Sequence, residues 1–235
     1  MKAKEKTTQQ IKNTAMNVII TGATGMVGKG VLLECLAHEA VNNVLVINRK
    51  PIDHSHPKLK ELLLGDFTQI ATLSNELHNY DACFFCMGVS SVGMNEAEYT
   101  NITYNITKAF ADVLYQLNPN MVFNYVSGTG TDSSEQGNTM WARVKGRTEN
   151  MIFEKGFKDA YAFRPGVIIP ENGIKSSTGW YNAIYVVTRP FFPLMKRSKH
   201  ITTTTKLGQA MINSVLHPME KKKLENVDIN NLANT

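Results

Sequence analysis

Thr21-Gly22-Ala23-Thr24-Gly25-Met26-Val27-Gly28 sits between an apolar run, Val18-Ile19-Ile20, and apolar residues at helical spacing, Val27, Val31, Leu32, Cys35 and Leu36. The stretch reads as strand, glycine turn and helix. Such a turn presents unpaired backbone N–H groups at the positive end of a helix, which favours an anion such as a pyrophosphate. Gly22 permits the tight turn, Gly25 lets the backbone approach the phosphates, and Gly28 lets the helix pack closely on the sheet. The glycines alone describe any flexible loop. The strand before them and the amphipathic helix after them make dinucleotide binding the better reading.

Outward from the turn the chain alternates. Val44-Leu45-Val46-Ile47 is a second buried strand, and it ends at Asn48-Arg49-Lys50. A carboxylate at this point of a dinucleotide fold holds the ribose 2′-OH of NAD, whereas an arginine accommodates the 2′-phosphate of NADP. Arg49 and Lys50, with no acid beside them, favour NADP(H) over NAD(H); a solvated basic turn is the plainer alternative. Leu62-Leu63-Leu64-Gly65-Asp66-Phe67 reads as a third strand ending in a turn, where Asp66 either accepts from the adenine amino group or caps the next helical segment. Ala82-Cys83-Phe84-Phe85-Cys86-Met87-Gly88 is a fourth strand, Met121 to Val126 a fifth and Ala160 to Phe163 a sixth. A long helix is expected from about Glu96 to Leu117, another from near Thr139, and a final amphipathic one from Leu207 to Leu216. Strand–helix alternation without a long antiparallel stretch describes an α/β fold, a Rossmann-type doubly wound parallel sheet with helices on both faces. Ligands of such sheets collect at the carboxyl ends of the strands. Ser127, directly after the fifth strand, would therefore share the crevice of the glycine turn.

Bulk properties narrow the function. A chain of 235 residues, 43% hydrophobic, can bury one sizeable core, and α/β folds of this length often form one domain. The expected division is a flexible N-terminal arm over 1–16 and a single dinucleotide-binding domain over 17–235, with a small C-terminal cap at about 174–200. A formal charge of +5 without a basic stripe gives no support to nucleic-acid binding. Three cysteines are too few for a disulfide framework. Cys83 and Cys86, an odd number of residues apart on a strand, should face opposite sides of the sheet as inert buried thiols. His54 and His56 lie in a loop with no cysteine or acidic cluster at ligand spacing, so no metal is expected. The polar N-terminal stretch has no signal-peptide core, and no apolar run is long enough for a membrane-spanning helix, which makes a cytoplasmic location the expectation.

Beyond Gly173 the pattern changes. Trp180 to Val187 and Pro190 to Met195 are aromatic and proline-broken, and Lys196, Arg197, Lys199 and His200 follow. A cap over the substrate side of the sheet is favoured; a surface over 180–200 that docks on a membrane or a protein is the alternative. Lys221-Lys222-Lys223 reads as a solvated surface.

Together these residues resemble the short-chain dehydrogenase/reductase superfamily, specifically its atypical members grouped with NAD(P)-binding epimerase-like proteins and the HTATIP2-like (TIP30/CC3) proteins. The resemblance is carried by the T-G-A-T-G-x-x-G turn, the basic pair at Arg49, the Gly-Asp-Phe ending at Phe67, Cys-Met-Gly-Val from Cys86, Ser127, V-K-G-x-x-E around Lys145 and F-R-P-G from Phe163. It implies that Gly22, Thr24, Gly25, Met26 and Val27 line the pyrophosphate, Arg49 and Lys50 the 2′-phosphate, and Asp66 and Phe67 the adenine. Cys86, Met87 and Gly88 would border the adenine-side ribose, Lys145 would hold the nicotinamide ribose, and Pro165, Gly166 and Val167 would border the carboxamide. It further implies an oxidoreductase or epimerase-like enzyme on a small carbonyl or alcohol substrate, in which a serine and a tyrosine four residues before the lysine act on the substrate oxygen.

One residue departs from that pattern. The position four before Lys145 is Trp141, whose indole N–H donates but does not titrate near neutrality. The tyrosine-centred mechanism cannot be carried over, and Tyr125, Tyr104 or water are the proton sources left. A catalytically silent NADP(H)-binding sensor or partner-binding protein is the competing reading.

Overall fold

Val18, Ile19 and Ile20 are fully buried, with Val18 and Ile20 in one core and Ile19 in the other. An uninterrupted apolar run is what a central parallel strand covered on both faces requires, and burying each such side chain contributes about 2 kcal/mol. The computed structural model describes residues 15–174, 192–195 and 198–235. Its strands are β1 (Met16–Thr21), β2 (Val41–Asn48), β3 (Leu59–Leu63), β4 (Ala82–Phe85), β5 (Val122–Val126), β6 (Asp159–Arg164), β7 (Val167–Ile169), β8 (Ile201–Thr203) and β9 (Lys223–Glu225). Its main helices are α1 (Met26–Ala37), α2 (Glu96–Thr100), α3 (Ile106–Leu117), α4 (Met140–Glu154), α5 (Thr204–Leu216) and α6 (Asn226–Leu232).

The seven-stranded sheet runs β3-β2-β1-β4-β5-β6-β9, and each of its pairings is parallel. The first six strands follow the order 3-2-1-4-5-6 of doubly wound dinucleotide-binding sheets, whose direction reverses between β1 and β4. α1, α5 and α6 pack on the face that carries Val18, Val46, Phe84 and Phe163. α3 and α4, with the 3₁₀ stretch Phe67–Glu76, cover the face that carries Ile19, Leu45, Phe85 and Phe123. Cys83 and Cys86 face these two opposite cores, as their spacing predicts.

Three expectations change. Met16 opens β1 and is buried, so it belongs to the sheet and not to the arm; residues 1–14 lie outside the described residues. The helix expected from Glu96 to Leu117 carries a π-helical stretch, Asn101–Asn105, between α2 and α3. Lys223 is not a solvated residue of a lysine run: it opens β9, pairs with Ala162 and precedes the fully buried Leu224, while Lys221 and Lys222 are ion-paired with Asp228 and Asp159. β7 and β8 form a separate two-stranded parallel sheet beyond β6. Most of the cap expected at 174–200, including Trp180, lies outside the described residues, which contain there only the buried Ile174, the helical turn Phe192–Met195 and residues 198–200.

Candidate dinucleotide and substrate site

The turn after β1 is closed by backbone contact. Gly22 has φ +72°, a conformation open to glycine, and a Cβ there would stand 2.8 Å from Met87 N and 2.9 Å from Cys86 O. A Cβ on Gly28 would stand 2.2 Å from Gly22 O, so only glycine lets α1 start this close to the turn. Gly25 N donates to Gly22 O at 2.9 Å, and Gly25 begins α1 without any side-chain cap. The 12-residue helix therefore keeps its first amides for an outside acceptor. Thr24 is exposed and Met26 and Val27 are half-buried around it. This cradle, at the reversal point between β1 and β4, fits a dinucleotide pyrophosphate.

On the β2 side Arg49 and Lys50 are exposed, and the Arg49 guanidinium lies 5.9 Å above the Phe67 ring. The neighbouring carboxylate, Glu61, is tied up: it accepts from Asn48 Nδ2 at 3.2 Å and from Ile52 N at 3.0 Å. Of the two roles open to Asp66, the observed one is the cap. It accepts from Thr68 N at 2.9 Å and Thr68 Oγ1 at 2.7 Å, and these bonds hold its carboxyl below the usual range. Phe67 is 7% exposed and meets Phe110 edge-on, so most of its ring belongs to the core. Cys86 and Met87 stand against Gly22, and burial pushes the Cys35, Cys83 and Cys86 thiols well up.

Across the crevice the loop after β5 meets α4. A Cβ on Gly130 would lie 3.4 Å from the Trp141 ring; one on Gly128 would lie 3.8 Å from both Lys145 Nζ and Pro165 O. Ser127, Trp141, Lys145 and Pro165 thus gather at the carboxyl ends of β5 and β6. Lys145 Nζ donates to the Ser127 carbonyl, and burial lowers its pKa to about 8 against the opposing pull of Glu149. Gly166 N donates to Asn226 Oδ1 at 3.2 Å, and Val167, half exposed, opens β7.

The Ser127 hydroxyl differs from its expected use. Ser127 is 5% exposed and its Oγ donates to Glu149 Oε1 at 2.6 Å, so its one proton is spent inside the protein. Glu149 is fully buried and is held by Arg164, whose Nε donates to Oε1 at 3.0 Å while Nη2 donates to Oε2. Arg164 Nη2 also donates to Ser133 Oγ at 2.6 Å. Thr129 Oγ1 is within 3.0 Å of Arg164 O and of Glu225 Oε2, which ties the loop to β9. Of the alternative tyrosines, Tyr125 is sealed in the core beside Thr148 with its hydroxyl pKa pushed up by burial. Tyr104 lies under the Arg147 guanidinium at 4.3 Å.

Glu149 and Arg164 received no role from the sequence. The available signal was an acid one turn beyond Lys145, spacing that places both on one helix face, inside V-K-G-x-x-E. Its glycine has a steric cause: a Cβ on Gly146 would stand 1.7 Å from Asp132 O, where the loop crosses α4 and Asp132 N donates to Ala142 O at 3.0 Å.

Comparison with known proteins agrees with this fold. Protein HTATIP2 of Rattus norvegicus is 23% identical over 219 residues, covering 91% of this chain and 86% of that protein. Protein FMP52, mitochondrial, of Candida albicans is 27% identical over 173 residues, covering 72% and 73%. Among solved structures, the Bordetella bronchiseptica enzyme WbmF in complex with NAD+ superposes with TM-score 0.66 at 14% identity over 95% of this chain and 78% of that one. A short chain dehydrogenase from Burkholderia cenocepacia in complex with NADP gives 0.61 at 13% identity over 94% and 92%. These likenesses bear out the Rossmann-type fold and the resemblance to short-chain dehydrogenases of the epimerase type. A model of the NAD dependent epimerase/dehydratase family matches residues 18–149, and the chain belongs to that family.

Proposed function

We propose that the protein is an NADP(H)-dependent oxidoreductase or epimerase-like enzyme acting on a small carbonyl or alcohol substrate. The observation that carries this reading is an uncapped glycine turn after β1 on the same carboxyl edge of the parallel sheet as Lys145 and Trp141, which stand beside the loop after β5. Gly22, Gly25 and the first amides of α1 hold the pyrophosphate, and Arg49 and Lys50 receive the ribose 2′-phosphate. The exposed Arg49, with Glu61 engaged by Asn48 and Ile52, supports NADP(H) over NAD(H), because a free carboxylate at that place would repel the extra phosphate. When bound, the dinucleotide supplies or accepts the electron pair of the carbonyl–alcohol interconversion.

Ser127 serves as a positioning residue. Its hydroxyl is anchored on the buried Glu149–Arg164 pair and its carbonyl fixes Lys145. Trp141, against Gly130, forms an apolar wall that excludes water beside the reacting carbon. The test is NADPH fluorescence on titration, followed by NADPH oxidation against a panel of aldehydes and ketones. Saturable binding with turnover of at least one carbonyl class is expected. Binding without turnover of any of them would leave a dinucleotide-binding protein and overturn the enzyme reading.

A further inference from the structure

Trp141 leaves the site without a hydroxyl where one would move a proton, and the three hydroxyls the sequence offered in its place, on Ser127, Tyr125 and Tyr104, are otherwise engaged or enclosed. Ser127 spends its proton on Glu149, Tyr125 is 2% exposed, and Tyr104 is covered by Arg147. The titratable group that does reach the gathering point is the Lys145 ammonium. It lies beside Gly128 and Pro165 O, one helical turn from Trp141 and bonded to the Ser127 carbonyl through one of its three N–H bonds.

We propose that Lys145 is itself the proton-transfer residue, its Nζ giving a proton to the substrate oxygen as a carbonyl becomes an alcohol and removing it in the reverse direction. This rests on the oxidoreductase reading. In reduction the carbonyl carbon gains a hydride from the reduced nicotinamide dinucleotide, which is oxidised, and the carbonyl π pair moves to oxygen. An N–H bond of Lys145 breaks as the O–H bond forms, and the neutral amine regains a proton from water. Two features suit the group to the task. Burial brings the ammonium to about 8, near the operating range of an efficient acid–base group. The charges facing it are Glu149, one turn on along α4, and, across Glu149, Arg164 of β6. Because Arg164 engages Glu149 through a fork of two bonds, the carboxylate is partly neutralised and leaves the lysine free to lose its proton.

The test uses the full-length protein. Lys145→Arg keeps the charge and the donors for a ribose but holds its proton at every working pH. It should bind NADPH within about threefold of wild type while turnover falls about 100-fold or more. Independently of turnover and of variant folding, ¹³Cε-lysine NMR of the wild-type protein should show one resonance titrating near 8, absent in Lys145→Arg. Wild-type turnover in Lys145→Arg, or a Lys145 resonance titrating near 10.5, would overturn the proposal alone. NADPH binding with no wild-type turnover would instead overturn the enzyme reading beneath it.

Discussion

The two halves of the crevice are built from different materials. On the β1 side, from Gly22 to Gly28, the site is backbone: three positions without side chains and a helix end with no cap. On the β5–β6 side it is a side-chain network in which Ser127, Lys145, Glu149 and Arg164 depend on one another through buried bonds. A backbone site is specified by what is absent and tolerates its surroundings. A buried polar network is specified only when each member is satisfied, and it fails as a unit.

The largest effect should come from breaking the network. Arg164→Met would leave the fully buried Glu149 charge unpaired, at a cost of about 3–5 kcal/mol. That corresponds to a calorimetric melting point lower by roughly 6–20 °C for a chain of this size. Adding Glu149→Leu should recover most of it, since the cost lies in the orphaned charge; no recovery would mean that Arg164 acts through packing.

Breaking the backbone half should injure binding more than folding. In Gly28→Ala the new Cβ meets Gly22 O at 2.2 Å, which forces the turn apart. NADPH affinity, read by fluorescence, should fall about 100-fold, or ~2.7 kcal/mol. An unchanged affinity would show that the turn is not the pyrophosphate site.

The contrast also explains what the sequence disclosed. The glycine turn, β1, β2, β4, β5 and β6 and the opposite facing of Cys83 and Cys86 were legible because local sterics and buried apolar runs decide them, whereas β3 lies over Leu59–Leu63, ahead of the Leu62 start its leucines suggested. β9 was hidden because Lys223-Leu224-Glu225 is too short to show alternation and is held by pairing with β6, a contact 61 residues away for Ala162 and Lys223. The Ser127–Glu149–Arg164 chain was hidden for a related reason. Its residues were visible as parts of motifs, but burial decides that Ser127 donates inward, and burial is a property of the assembled sheet. Asp66 shows the intermediate case, in which both of its roles could be named and the fold shows the cap.

Two smaller effects sharpen the comparison. Arg49→Ser should cut the preference for NADPH over NADH about tenfold, ~1.4 kcal/mol, while leaving NADH affinity near wild type; equal losses for both would make Arg49 a general phosphate contact. The Lys145 side should reveal itself through pH. Its folded-state pKa is lowered to about 8 from 10.5, so between those values the unfolded chain binds more protons and stability rises with pH. The slope from this group is at most about 1.4 kcal/mol per pH unit. In dinucleotide-free protein, Lys145→Met should flatten that rise in denaturant melts, and a slope unchanged by the substitution would assign it to other groups.

The most direct measurement is a titration of the wild-type protein with NADPH and, separately, with NADH, followed by nicotinamide fluorescence. Saturable binding of both, with NADPH half-saturating at about a tenfold lower concentration, is the expected result. No saturable change with either dinucleotide would contradict the central claim that the glycine turn and the Arg49–Lys50 pair form a nicotinamide dinucleotide site.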